Sequence, residues 1–145
     1  MNLENRIREI VLNINKLEQI CYPDISFKIN FLTIFSQSSS DFEDLKNLLS
    51  NFGNETEANN GFKYELKSPL KVEREEIKLI RIRKPDIHRK ELGCADLSYE
   101  LTDYDKLRKG AFEKGFDIIL RKGYEMIELS NFNINVYAYI VKDLD

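Results

Sequence analysis

Three predicted strands each offer one face rich in polar groups, and their convergence would gather Arg, Asp, Ser, Tyr and Asn in one cleft. Over residues 77–83, alternation puts Leu79, Arg81 and Arg83 on one face and Lys78, Ile80 and Ile82 on the other. After Gly93, Cys94, Asp96, Ser98 and Glu100 share a face, opposite Ala95, Leu97 and Tyr99. In the last strand Ile134, Val136, Ala138 and Ile140 form the apolar face, while Asn133, Asn135, Tyr137 and Tyr139 form a polar-aromatic one. Arg81 facing Asp96 would make a buried guanidinium–carboxylate pair that organises the cleft. With Arg83 added, net positive charge would remain for a carboxylate or phosphate. The competing reading is that these are solvated outer faces with ordinary cross-strand pairing.

Other reactive residues are few. His88 is the single histidine and lies in the charged stretch KPDIHRKE. One histidine excludes a multi-His zinc site; a general base is one reading, and an inert histidine in an exposed loop the simpler one. Cys94 lies six residues further on. A nucleophilic thiol with His88 as its base is one reading, and a buried structural thiol the simpler one. Gly110, Gly115 and Gly123 lack the spacing of a phosphate-cradling loop. Phe27, Phe31 and Phe35 are expected in the core rather than as a stacking platform.

The elements that must position these residues follow from periodicity. Leu3, Ile7, Ile10, Val11, Ile14, Leu17 and Cys21 recur at helical spacing, and Pro23 ends the helix. Residues 27–35 read as a strand apolar on both faces, hence away from an exposed edge. Ser40, with Glu43 three residues on, predicts the N-cap of a helix over 41–52, closed by a left-handed Gly53. Residues 54–61 read as a polar loop. Strands are expected at 62–66, 70–72, 77–83 and 94–101. Asp103 caps a helix with Leu107, Ala111 and Phe112 buried, and Gly115 ends it. Strands at 116–122, 124–129 and 134–141 complete the chain, with a tight turn at Lys122 and Gly123. The order is a helix, then βαβββ twice. It predicts an α+β fold in which two units form one mixed, curved sheet with a central cleft and helices outside.

The chain has 145 residues, 42% hydrophobic and 32% charged, which suits one globular domain. Its net charge of −3 comes from 22 basic and 25 acidic residues with mixed signs, so neither a nucleic-acid nor a membrane partner is expected. The two isolated cysteines, Cys21 and Cys94, fit a reducing compartment. The N-terminus does not read as a signal peptide, and no apolar run approaches the ~20 residues of a membrane span. The expected location is the cytoplasm.

The helix over 41–52, then NNGFKYELKSPLKVEREEIKLIRIRKP and HRKELGCADLSYEL, resembles the YecM-like branch of the vicinal oxygen chelate (VOC) superfamily, the glyoxalase and bleomycin-resistance-like proteins. The shared features are a Gly-led hairpin, a Leu-X-X-Pro turn within a strand, a strand ending near Pro, and a Gly-led strand after a charged loop. The resemblance implies one VOC-like domain over 1–145, with a leading helix at 1–22 and βαβββ modules at 25–84 and 92–142. It also implies metal-ligand positions near Asn30, Arg81, Asp96 and Tyr137, with Asn135 and Tyr139 as alternatives to the last. Asn is a weak neutral ligand and Arg cannot deprotonate to bind a metal, so only Asp96 suits a hard cation. The expectation is a cleft that binds a small anionic molecule without the usual metal and with no cofactor. Its candidate residues are Asn30, Arg81, Arg83, Asp96, Ser98, Tyr137 and Tyr139. One alternative is a metal-dependent glyoxalase- or dioxygenase-like enzyme with displaced ligands among Asp96, Glu100, Glu125, Glu128 and His88. The other is a protein-interaction module on the same scaffold.

Overall fold

The computed structural model describes residues 2–56, 62–99 and 102–144. The elements in order are α1 (Leu3–Cys21), β1 (Lys28–Phe35), α2 (Ser39–Phe52), β2 (Gly53–Thr56), β3 (Phe62–Val72), β4 (Glu75–Arg83), β5 (Gly93–Ser98), α3 (Tyr104–Lys114), β6 (Asp117–Arg121), β7 (Tyr124–Asn131) and β8 (Ile134–Asp143). All eight strands form one mixed, curved sheet in the order β2-β3-β4-β1-β5-β8-β7-β6. The pairing is symmetric about its centre. β1 runs parallel to β4, β5 runs parallel to β8, and β1 and β5 meet antiparallel.

One face of the sheet carries the main core. Leu32 and Ile34 of β1, Ile80 and Ile82 of β4, Ala95 and Leu97 of β5, and Ala138 and Ile140 of β8 are buried there with the apolar stripe of α1. Helix α1 packs on β8, β7, β5 and β3, and so spans both halves of the sheet. Helix α2 covers β2, β3 and β4, and α3 covers β6. Burial of this size is the dominant stabilising term, at roughly 25 cal/mol per Å² of apolar surface.

Several sequence expectations need correction. The N-cap of α2 is Ser38, whose hydroxyl accepts from the Asp41 N–H at 3.0 Å, and not Ser40. Gly53 is extended rather than left-handed, because it leads straight into β2 within the expected polar loop. Residues 62–66 and 70–72 belong to one strand, β3, whose pairing with β4 is irregular between Glu65 and Leu70. Phe112 is 77% exposed and does not join the buried face of α3. The turns at Gly115 (φ 77°) and Gly123 (φ 85°) are left-handed, as glycine permits without a Cβ clash.

Helices α1 and α2 are clamped by Arg6, whose guanidinium donates two hydrogen bonds to the Asp41 carboxylate, at 2.8 and 3.2 Å. The Gln37 N–H donates to the same carboxylate at 2.8 Å. Burial pulls the Asp41 pKa up, but the hydrogen bonds from Arg6 and Gln37 outweigh it and hold it below the usual carboxylate range. Asp41→Ala is expected to cost about 1–2 kcal/mol near neutral pH, in denaturant melts. Because the folded pKa is lowered, the difference between the two proteins should shrink as pH falls through it.

Candidate functional site

The face of the sheet turned away from the helices is covered by no described helix; it carries a second, small buried cluster of Phe35, Cys94 and Tyr139, with polar and charged groups around it. Its residues alternate with the core residues just described. Strand register places Lys63, Arg81, Thr33, Cys94 and Tyr137 in one row across β3, β4, β1, β5 and β8. The next row holds Phe31, Asp96, Tyr139 and Glu128. On the far side of the first row, Arg83 is level with Phe35. All seven sequence candidates therefore belong to this face or its rim. Asn30 is exposed where the β1–β5 register shifts, and it lines a pocket with Asp96 and Ser98.

Cations on aromatic rings dominate one part of this face. Lys63 and Arg81 both sit 4.7 Å from the Phe31 ring centre. Arg83 lies 5.5 Å from Phe35, and Arg89 5.3 Å from Tyr137. Phe31, half-buried, is thus a platform for cations and not core, contrary to the sequence expectation, whereas Phe35 is buried with Cys94 and Tyr139 in the second core cluster, as expected. Cation–π contacts of this kind hold a charge in place without neutralising it. Among the described residues, none of these four cations forms an ion pair. The Nε of Arg81 is buried and has no hydrogen-bond acceptor among the described residues.

The expected Arg81–Asp96 ion pair is therefore absent among the described contacts. Arg81 lies over Phe31 instead, and the two charges interact only at longer range. Burial pushes the Asp96 pKa up, and Arg81 and then Arg83 pull it back down. The tyrosines are tied to neighbours: the Tyr139 hydroxyl donates to Glu128 at 3.0 Å, while Tyr137 interacts with Glu91.

The other reactive candidates are accounted for. Cys94 is buried and its thiol is pushed up to about 11, chiefly by burial, so it is not a thiolate at neutral pH. His88 is exposed in its loop. Glu125 accepts from Tyr104 at 2.8 Å and Arg108 at 2.7 Å, and Glu128 from Tyr139. Glu100 lies outside the described residues. Among the described residues, no three His, Cys, Asp or Glu side chains cluster so as to hold a metal.

Two further features lie off this face. An apolar groove of about 470 Å³ runs between α1, α2 and β3, lined by Leu3, Ile7, Leu48, Leu66, Leu70 and a 56%-exposed Phe52. A pocket of about 150 Å³ holds two buried carboxylates, Glu18 of α1 and Glu75 of β4. Glu75 accepts the Ile29 N–H at 2.9 Å, whereas the Glu18 Oε1 has no partner among the described residues. Sequence reading missed this pair, along with Lys63 and Arg89. Glu18 was detectable as a carboxylate set within the apolar stripe of α1.

The architecture defines an α+β protein with one eight-stranded mixed sheet covered on one face by three helices. No family model and no curated protein matches the chain. Its fold is similar to a solved structure described as "Structural Genomics, Protein EC4020", with a TM-score of 0.61 and 10% identity, over 90% of this chain and 81% of that one. No helix among the described residues is long and apolar enough to cross a membrane.

Proposed function

We propose that this chain is a VOC-type protein that binds a small anionic molecule on the open face of its sheet, without a catalytic metal. The carrying observation is Arg81, whose buried Nε–H lacks an acceptor among the described residues, on a face where Lys63, Arg83 and Arg89 also lack ion-pair partners among them. A buried donor without an acceptor costs about 1–3 kcal/mol, which an anionic ligand would recover. The paired βαβββ element order, with β1 and β5 antiparallel at the centre, supports the VOC reading. The metal implied by that resemblance does not fit these residues. Arg81 occupies one expected ligand position with a permanent cation, and Asn30 another with a neutral amide.

Thermal melts with small carboxylates and inorganic phosphate test the reading. Such anions are expected to raise the melting temperature of the wild type, with Arg81→Ala removing at least about tenfold of the affinity. Equal shifts in the two proteins would place the anion elsewhere. Elemental analysis of protein purified without chelator tests the metal. A stoichiometric divalent ion lost in Asp96→Ala would favour the enzyme alternative instead.

A further inference from the structure

The geometry points to a bipolar ligand on this face, one whose anionic group meets the Arg81 cluster while an ammonium group meets Asp96. This rests on the anion-binding reading above and adds what occupies the other end. A pocket of about 560 Å³ opens beside the cation cluster, and its lining includes Asn30, Asp96, Ser98 and Asp143, with Phe31 and Val141 as apolar walls. Among the described residues, no Lys or Arg lines it. Its acidic side chains are Asp96 and Asp143, the reverse in charge of the cation row beside it. The Asp96 carboxylate has no hydrogen bond or ion pair to any described residue, although it is largely removed from solvent. A carboxylate in such a place is stabilised by a donor that comes with the ligand.

The two ends are physically adjacent. Phe31 belongs to both, carrying Lys63 and Arg81 over its ring and forming a wall of the pocket. Arg81 and Asp96 are separated by β1 and offset by two residues, so their backbones are about 12 Å apart from standard strand spacing and rise. Both side chains project from the same face, and the Arg81 guanidinium reaches over Phe31, the residue paired with Asp96, which shortens the span between their charged ends. A small ligand with a few bonds between its charges can therefore bridge them. A plain monoanion would satisfy Arg81 but leave Asp96 desolvated and unpaired.

Calorimetric titration tests this with matched probes. The amino acids are glycine, β-alanine, γ-aminobutyrate and ε-aminocaproate; the controls are acetate, propionate, butyrate and caproate. At least one amino acid is expected to bind about tenfold tighter than its amine-free counterpart. Asp96→Asn, which keeps the side-chain shape, should erase that preference while retaining binding of the plain acid. Arg81→Ala should weaken both series. If each acid and its amino counterpart bind the wild type equally, and Arg81→Ala weakens both, the bipolar assignment is wrong and the anion site stands. If no probe binds at millimolar concentration, or Arg81→Ala changes nothing, both readings are overturned.

Discussion

Glu18→Gln is expected to stabilise the protein above neutral pH and to leave it unchanged in acid. Glu18 is 7% exposed, and its pKa is pushed up to about 8, first by burial and then by repulsion from Glu75, with Arg74 opposing. Lys28 also lines this pocket. Between the ordinary carboxylate range and pH 8, the unfolded chain has lost the proton that the folded chain keeps. Folding stability therefore falls as pH rises through that window, and the full cost is reached above pH 8. That cost is on the order of 2–3 kcal/mol, allowing for partial solvent screening. Glutamine has the same shape and no charge. Urea melts from pH 4 to 9 should show a falling stability for the wild type and a nearly flat one for Glu18→Gln. Parallel curves for the two proteins would mean that Glu18 is hydrated and ordinary.

A second large effect is expected at Gly93. It opens β5 at the centre of the sheet, level with Ile34 of β1 and Val136 of β8. A Cβ there would overlap the backbone carbonyl oxygen of Thr33 and press on Ile10 of α1 at 3.0 Å. Neither a strand backbone paired on both sides nor the core beneath it can retreat cheaply. Gly93→Ala should lose about 3 kcal/mol or more in denaturant melts. Gly110→Ala is the control. Its Cβ would meet only Tyr22 Cε1 at 3.7 Å, and helix propensity favours alanine by about 0.5–1 kcal/mol. If both substitutions are neutral, the close approach of β5 to β1 is wrong.

The helices and most strands were legible because their periods are strong. The stripe from Leu3 to Cys21 set α1, and Asp103 and Gly115 bounded α3 at the expected capping residues. The alternation in β4, β5 and β8 also placed Arg81, Asp96, Tyr137 and Tyr139 on one face. Strand β2 was hidden because Gly53–Thr56 has turn-like residues and pairs only with β3, at the sheet edge. Phe31 was misjudged because hydrophobicity does not distinguish an aromatic in a core from one beneath a guanidinium. The Arg81–Asp96 pair was overdrawn for a related reason. Two residues on one face of a sheet, separated by a strand, need not touch, and Phe31 offered Arg81 a nearer partner. Lys63 and Arg89 went unnoticed because each lies in a charged surrounding that looked like solvated surface.

The position of α1 across both halves bears on how the chain emerges from a ribosome. Among the described elements the helix is made before every strand, yet its principal partner is β8, which follows all the others. Until β8 is released, the apolar stripe of α1 has only part of its binding surface, and β5 lacks its parallel neighbour. Domains acquire stable structure as units, and exposed apolar surface in the interim favours association with other chains. Nascent chains stalled before residue 134 should therefore engage chaperones, and a stop codon there should leave no stable remnant of the first half.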